Sequence, residues 1–234
     1  MKYEIKGMNL PYVECTLNKG EKMITESGTM CWMDDGFVME TSTNGGFMKG
    51  LGRIFSGENF FQNNYTASAD NLRISFSSSM PGTIIAVPIS EGHSLIIQKK
   101  SFLAAYGNVD LSIFLNKKIG SGLFGGEGFV LQKVTGTGTV FIEVDGSSAQ
   151  YDLAQGQKMI ISSMHLVSMT ESCQMDVQMV KGFKNIFFGS EGLFNTVVTG
   201  PGRVTLQSMP VIKLASCINP YIQFPNNHSS NNSD

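Results

Sequence analysis

Charge is scarce in this chain. Asp, Glu, Lys and Arg make up 15% of its 234 residues, and 17 basic against 19 acidic residues leave a net charge of −2. Nucleic acids and anionic membranes are bound through concentrated basic patches, which this balance does not supply. Histidine is rarer still. His93, His165 and His228 are the only three, and no pair of them has a metal-ligand spacing. Cys15, Cys31, Cys173 and Cys217 lie far apart with no C-x-x-C pair, and the opening MKYEIKG has no apolar signal region, so a reduced cytoplasmic chain is expected. No apolar run approaches the ~20 residues that span a bilayer; TIIAVPI at 83–89 is short and contains Pro88.

The usual catalytic and nucleotide signatures are missing as well. No Ser sits in a G-x-S-x-G elbow. The small pairs Ser56-Gly57, Gly125-Gly126 and Gly189-Ser190 lack the Lys and the Ser or Thr of a phosphate loop, and GSGLFGGEG at 120–128 runs into a strand-like stretch, where a dinucleotide fingerprint needs a helix. A hydrolytic pair would need His93 or His165 beside a Ser or carboxylate. No catalytic residue, metal or cofactor is therefore assigned, and the chain is not expected to be an enzyme.

What the chain has is glycine and repetition. It holds 26 Gly, with Val, Ile, Phe, Thr and Ser between them, and this is the profile of many short strands and tight turns. One phrase occurs three times: IFSGENFF at 54–61, LFGGEGFV at 123–130 and FFGSEGLF at 187–194. Upstream of each copy a Gly opens a strand-like run: Gly20 before EKMI, Gly92 before HSLI, Gly156 before QKMI. The Glu follows that Gly by 38 residues in the first copy and by 35 in the other two. Thr66, Thr135 and Thr199 each stand eight residues past the Glu, the last two opening TGTG and TGPG turns. A unit of this length is too small to bury much surface alone. The spacing therefore predicts an all-β body: three tandem β-sandwich or double-stranded β-helix-like repeats sharing a core with pseudo-threefold symmetry, at about 1–89, 90–153 and 154–225. The polar stretch 226–234 is expected to be a flexible tail.

Local patterns fill in the units. Ile74 and Phe76 alternate with Arg73, Ser75 and Ser77, and Val204 and Leu206 with Thr205 and Gln207, as in half-buried strands. Phe129, Val130 and Leu131 in a row indicate a strand covered on both faces. Asp145-Gly146 is a hairpin signal, and Asp34-Asp35-Gly36 and Asn44-Gly45-Gly46 act similarly. The best helical stretch is Val109 to Lys118, although VDLSIFL there also alternates as a strand. The 14 methionines are scattered, as gap-filling core residues are.

Glu58, Glu127 and Glu191 are the acidic residues that recur in register, and they are the candidate binding residues. A threefold body would place them around an axis, where they could line a pore, hold a hard cation or anchor a partner. Alternatively each accepts hydrogen bonds from its adjoining Gly turn or pairs with Lys49, Lys118 or Lys184, which is better supported because residues present in every copy usually preserve the repeat. The lysines change their spacing in the third copy and are read as solvated. Trp32 and Arg53 occur once each within repeated segments, as core packing and surface charge.

GGEGFVLQKVTGTGTVFIEV (125–144) and GSEGLFNTVVTGPGRVTLQSMP (189–210) carry a family resemblance. From about Gly20 to Ile222 the chain resembles the altered-inheritance-of-mitochondria 24 family, also called domain of unknown function 124. The first repeat departs from the pattern, with Asn59 at the second Gly of GEG and TASA in place of TGxG. The resemblance implies a fold like that of the tryptophan RNA-binding attenuation protein, short β units side by side, and brings no catalytic residues with it. A scaffold or binding protein is expected, with a protein partner or a second copy. An RNA or small-ligand binder using the interface between repeats is the alternative, and an enzyme with a divergent site is least favoured; nucleic acid is not the expected partner. Glu127→Gln should lower the melting temperature in a thermal scan, because the turn loses a charged acceptor; an unchanged value would mean that the carboxylate only meets solvent.

Overall fold

Three glycines in left-handed conformation set the corners of the molecule. In the computed structural model, which describes residues 1–26, 28–43, 61–117, 129–179 and 194–222, Gly20, Gly92 and Gly156 have φ of +83°, +78° and +74°. No atom stands near where a Cβ would be, so their role is conformational: a side chain is disfavoured at this φ whatever the space. Each turn delivers the chain into a short strand.

Seventeen strands and one α-helix form among the described residues. The first third holds β1 (Lys2–Lys6), β2 (Tyr12–Leu17), β3 (Lys22–Glu26), β4 (Met30–Met33), β5 (Phe37–Thr43), β6 (Phe61–Ala67) and β7 (Leu72–Ser77). The middle holds β8 (Gly82–Ile89), β9 (Leu95–Gln98) and two long strands, β10 (Phe102–Lys117) and β11 (Phe129–Asp145). The last third holds β12 (Ser148–Leu153), β13 (Lys158–Ser162), β14 (Leu166–Thr170), β15 (Gln174–Met179), β16 (Phe194–Thr199) and β17 (Gly202–Gln207), followed by α1 (Val211–Ile218). The fold is all-β.

Every pairing is antiparallel, in three sheets. Four strands run in the order β1-β2-β7-β4, ten in the order β12-β17-β14-β9-β11-β10-β3-β6-β5 with β8 beside β11, and three in the order β13-β16-β15. The large sheet is continuous across the thirds of the chain because β10 pairs with β3, and β14 with β9.

Burial follows the same division. One apolar cluster gathers Val13, Leu17, Met23, Ile74 and Phe76 with Leu103 and Phe141 from the middle third. A second is built from the middle third plus Val167, and a third joins Leu166, Val198 and Val204 to Ile96, Phe129 and Leu131. The single shared core expected from unit size is thus three clusters, each completed by side chains from a neighbouring third. Burial of this kind is worth roughly 25 cal/mol per Å² of apolar surface, so no third holds its full core alone.

Some local expectations change. Val109 to Lys118 is not a helix: residues 109–117 continue β10 and pair with β11 over most of their length. The helix is α1, whose VIKLASCI carries no side-chain cap and has no buried residue, leaving little signal in the sequence. Asp145-Gly146 does turn, Gly146 having φ +74°, but β11 and β12 are not partners; β12 pairs with β17. Asp34-Asp35-Gly36 likewise joins β4 to β5, which pair with β7 and β6. Phe129, Val130 and Leu131 are all buried, as the unbroken apolar run indicates.

TGTG at 135–138 is not a reversal either. β11 runs through it, and a Cβ on Gly136 or Gly138 would stand 2.0 Å from the carbonyl oxygen of Asn108 or Tyr106 on β10. These glycines let two bent backbones touch. Gly136, at φ +104°, faces both constraints, whereas Gly92 faces only the conformational one. Gly92→Ala should cost about 1 kcal/mol and Gly136→Ala about 3 kcal/mol or more, an order that urea unfolding of the two variants checks.

Candidate interaction surface

The residues nominated by the repeated phrase, Glu58, Glu127 and Glu191, lie outside the described residues, as do Lys49, Lys118, Lys184, Arg53 and Asn44-Gly45-Gly46. His165 is half-buried and its Nδ1–H donates to the carbonyl oxygen of Gln207 at 2.6 Å, which ties the turn before β14 to β17. His93 sits in the exposed turn before β9, its Nδ1 3.4 Å from Ser90 Oγ. Neither histidine lines the one depression described below.

That depression, about 220 Å³, is bordered by Glu21, Lys22, Tyr106, Gly107 and Asn108 where β3 meets β10. Glu21 dominates it electrostatically. Its carboxylate accepts the Asn18 N–H at 2.8 Å and the Tyr106 hydroxyl at 2.6 Å, with the N-terminal ammonium at 3.0 Å. These donors, the Asn18 amide foremost, hold its pKa at about 2, far below the ordinary carboxylate range, and the same contact raises the Tyr106 phenol. With its lone pairs engaged, Glu21 acts as a clip between two strands.

A second carboxyl cluster anchors the start of the last third. Glu143 is buried on β11 and accepts from Ser78 Oγ at 2.9 Å, Ser79 N–H at 2.7 Å and Ser79 Oγ at 2.8 Å, closing the loop before β8. Two residues on, Asp145 is pushed up to about 6, first by desolvation and then by the nearby Glu143 charge, against the Val211 N–H at the start of α1 and Lys100. Neither residue is marked by the repeats, and the signal that could have found them is the pair of carboxylates at i and i+2 in a run that is otherwise apolar, VFIEVD.

The unusual surface is apolar. On β4, Trp32 is 50% and Met33 38% exposed; on β13, Ile160 is 70% exposed. Among the described residues both strands are sheet edges, β4 paired only with β7 and β13 only with β16. Trp32 is thus not a core residue as its sequence context indicated. Its ring meets Tyr12 edge to face at 4.9 Å over β7, where Ser75 is fully buried, so the polar face of β7 is covered here by aromatics. Exposed apolar edges are ready templates for another strand. Among the described residues no three His, Cys, Asp or Glu come together as a metal set, and no helix is long and apolar enough to cross a membrane.

Comparison with known proteins agrees with the fold. A family model described as Mitochondrial biogenesis AIM24 matches residues 3–209. A Streptococcus pyogenes protein solved by crystallography as a structural-genomics target superposes with a TM-score of 0.78 at 23% identity, over 94% of this chain and 99% of that one. At that identity the likeness shows the fold alone. No match is found among curated proteins.

The two shifted carboxyls respond to pH in opposite directions. Glu21 is depressed, so its contribution is present above about pH 4.5 and is lost as pH falls towards 2. Asp145 is raised, so its contribution is present below about 3.8 and is lost as pH rises through about 6. Asp145→Asn keeps an acceptor for Val211 and should raise the melting temperature at about pH 8 while leaving it nearly unchanged at about pH 3.5; calorimetry at the two pH values checks the sign.

Proposed function

The chain belongs to the mitochondrial biogenesis AIM24 family, and from that membership and the geometry above we propose that it is a non-enzymatic binding scaffold, three β units in series, open between the third and the first, that offer apolar strand edges to a protein partner. The observation that carries this is the exposure of Trp32, Met33 and Ile160 on strands with one unpaired side. Four free cysteines support a reducing compartment.

Triplication is supported by the way pairings recur. β2 with β7, β8 with the second half of β11, and β12 with β17 are equivalent, as are β3 with β6, β9 with the first half of β11, and β13 with β16. β4 with β7, the inner part of β10 with β11, and β14 with β17 form the third set, and each carries an irregularity there, skipping Cys31, Leu103 and Val167. Those residues all stand eleven past the opening glycine. In a fourth set, β5 with β6, the outer part of β10 with β11, and β15 with β16 complete the units. Units opening at β2, β8 and β12 account for all four.

An immobilised wild-type chain should retain protein from a native lysate that a Met33→Lys, Ile160→Lys double variant with unaltered melting temperature does not. The same protein set on both columns would end the proposal. Salt-sensitive retention of an RNA library, which the balanced charge does not favour, would shift it to the nucleic-acid alternative.

A further inference from the structure

Resting on the three-unit reading, we infer that β4 and β13 are the two halves of one missing junction, and that a second copy of this chain supplies the partner, β4 of one molecule pairing antiparallel with β13 of the next. The chain contains two finished examples of this junction. Where the first unit meets the second, Ala104 stands opposite Thr25 and Ala105 opposite Ile24. Where the second meets the third, Ser168 stands opposite Ile97 and Met169 opposite Ile96.

The register is the same in both. Ala104 and Ser168 lie twelve residues past the glycine that opens their unit, and Thr25 and Ile97 lie five past theirs. Counted identically from Gly20 and Gly156, the unfilled junction sets Trp32 opposite Ile161 and Met33 opposite Ile160. The eight residues of these four pairs are buried, whereas Ile160, Trp32 and Met33 are 70%, 50% and 38% exposed and Ile161 alone of the open junction is buried. Three of the four positions are thus exposed where the third ladder is absent.

β4 has no charge or proline to defend it against pairing, and β13 has a single charged residue, Lys158 at its start. Natural sheets guard free edges with charge, proline or bulges that turn them away. β4 reads MCWM with no charged residue, and its irregularity is the one that Leu103 and Val167 carry inside completed junctions. Trp32 does not obstruct the edge, since side chains stand perpendicular to a sheet and its ring lies over β7 against Tyr12. Two residues beyond Met33 in the same register, Asp35 meets Lys158, an opposite-charge pair at the rim. Because the two surfaces differ, the contact is head to tail, and repetition gives a closed ring or a filament.

Light scattering across a concentration series tests this. Wild type should grow in mass with concentration, while Met33→Lys and Ile160→Lys should each be monomeric alone. Mixed in equal amounts they should form a species of twice the monomer mass and nothing larger, because one good β4 and one good β13 remain. In a Cys31→Ser, Cys217→Ser background, oxidation of Met33→Cys mixed with Ile160→Cys should give a covalent heterodimer, directly opposite positions in an antiparallel pair lying about 4.5–5.5 Å apart. A monomeric wild type at hundreds of micromolar, loss of association in only one of the two lysine variants, or a disulfide closing within one chain that carries both cysteines would overturn the inference. If wild type stays monomeric yet edge-dependent capture from lysate persists, the second copy is excluded while the binding scaffold stands.

Discussion

A ladder of three residue pairs between neighbouring thirds is the constraint on which the rest of the structure depends. Backbone N–H and C=O groups at a strand edge must find partners once water is excluded, and β3 and β9 meet that demand by pairing with β10 and β14. The first junction is reinforced from both ends. Thr25 Oγ1, fully buried, donates to the Leu103 carbonyl oxygen at 2.7 Å, and the Tyr106 hydroxyl reaches Glu21 at 2.6 Å. Because the skipped residue of β10 turns its side chain into the neighbour's cluster, the ladder also completes a core: Leu103 belongs to the first cluster and Val167 to the second. Backbone pairing and apolar burial thereby become one cooperative event, and a third lacking its neighbour would expose both a polar edge and an apolar gap.

The middle third shows what a neighbour on each side does to a unit. Its strands are long and continuous, β10 reaching 16 residues and β11 17, where the outer thirds are broken into shorter pieces by turns. The same bend is made differently in each place. Gly107 at φ +99° and Gly136 at +104° bend the long pair without breaking it, whereas Asp34-Asp35-Gly36 and the turn at 171–173 interrupt the chain outright. Glycine in TGTG is therefore a device for close backbone approach. The sequence shows only that a β-carbon is missing, and a reversal and a tight crossing need that equally.

The turns at Gly20, Gly92 and Gly156 were legible in the sequence, because a left-handed position carries a glycine signature. Strand character and the doubly covered run at 129–131 were legible for the same reason: local pattern reports local burial. What the residues did not disclose was which strand lies beside which. Asp145-Gly146 looked like a hairpin because turn chemistry records the reversal and says nothing of the partner, here β17 for β12. The candidate surface was hidden for a related reason. Trp32 and Ile160 have the composition of core residues, and only the strand order shows that no neighbouring strand covers them among the described residues.

The position twelve residues past each opening glycine separates the units chemically. Where a neighbouring strand is in place the residue is small, Ala104 or Ser168; where it is absent the residue is Trp32. Small residues fit a site pressed between two sheets' worth of packing, while an indole needs open surface or a partner that leaves room on the face. Trp32 stands opposite Ser75, whose buried hydroxyl has no hydrogen-bond partner among the described residues, and by laying its ring on Tyr12 it leaves its own backbone edge clear of its side chain. Low charge bears on the same point: a surface that repels neighbours needs lysine on its edges, and β4 has none while β13 has one, Lys158 at its start. On the pairing proposed above, β4 leaves one edge of the first third uncovered, and Ile160 on β13 stands exposed at the edge that would meet it.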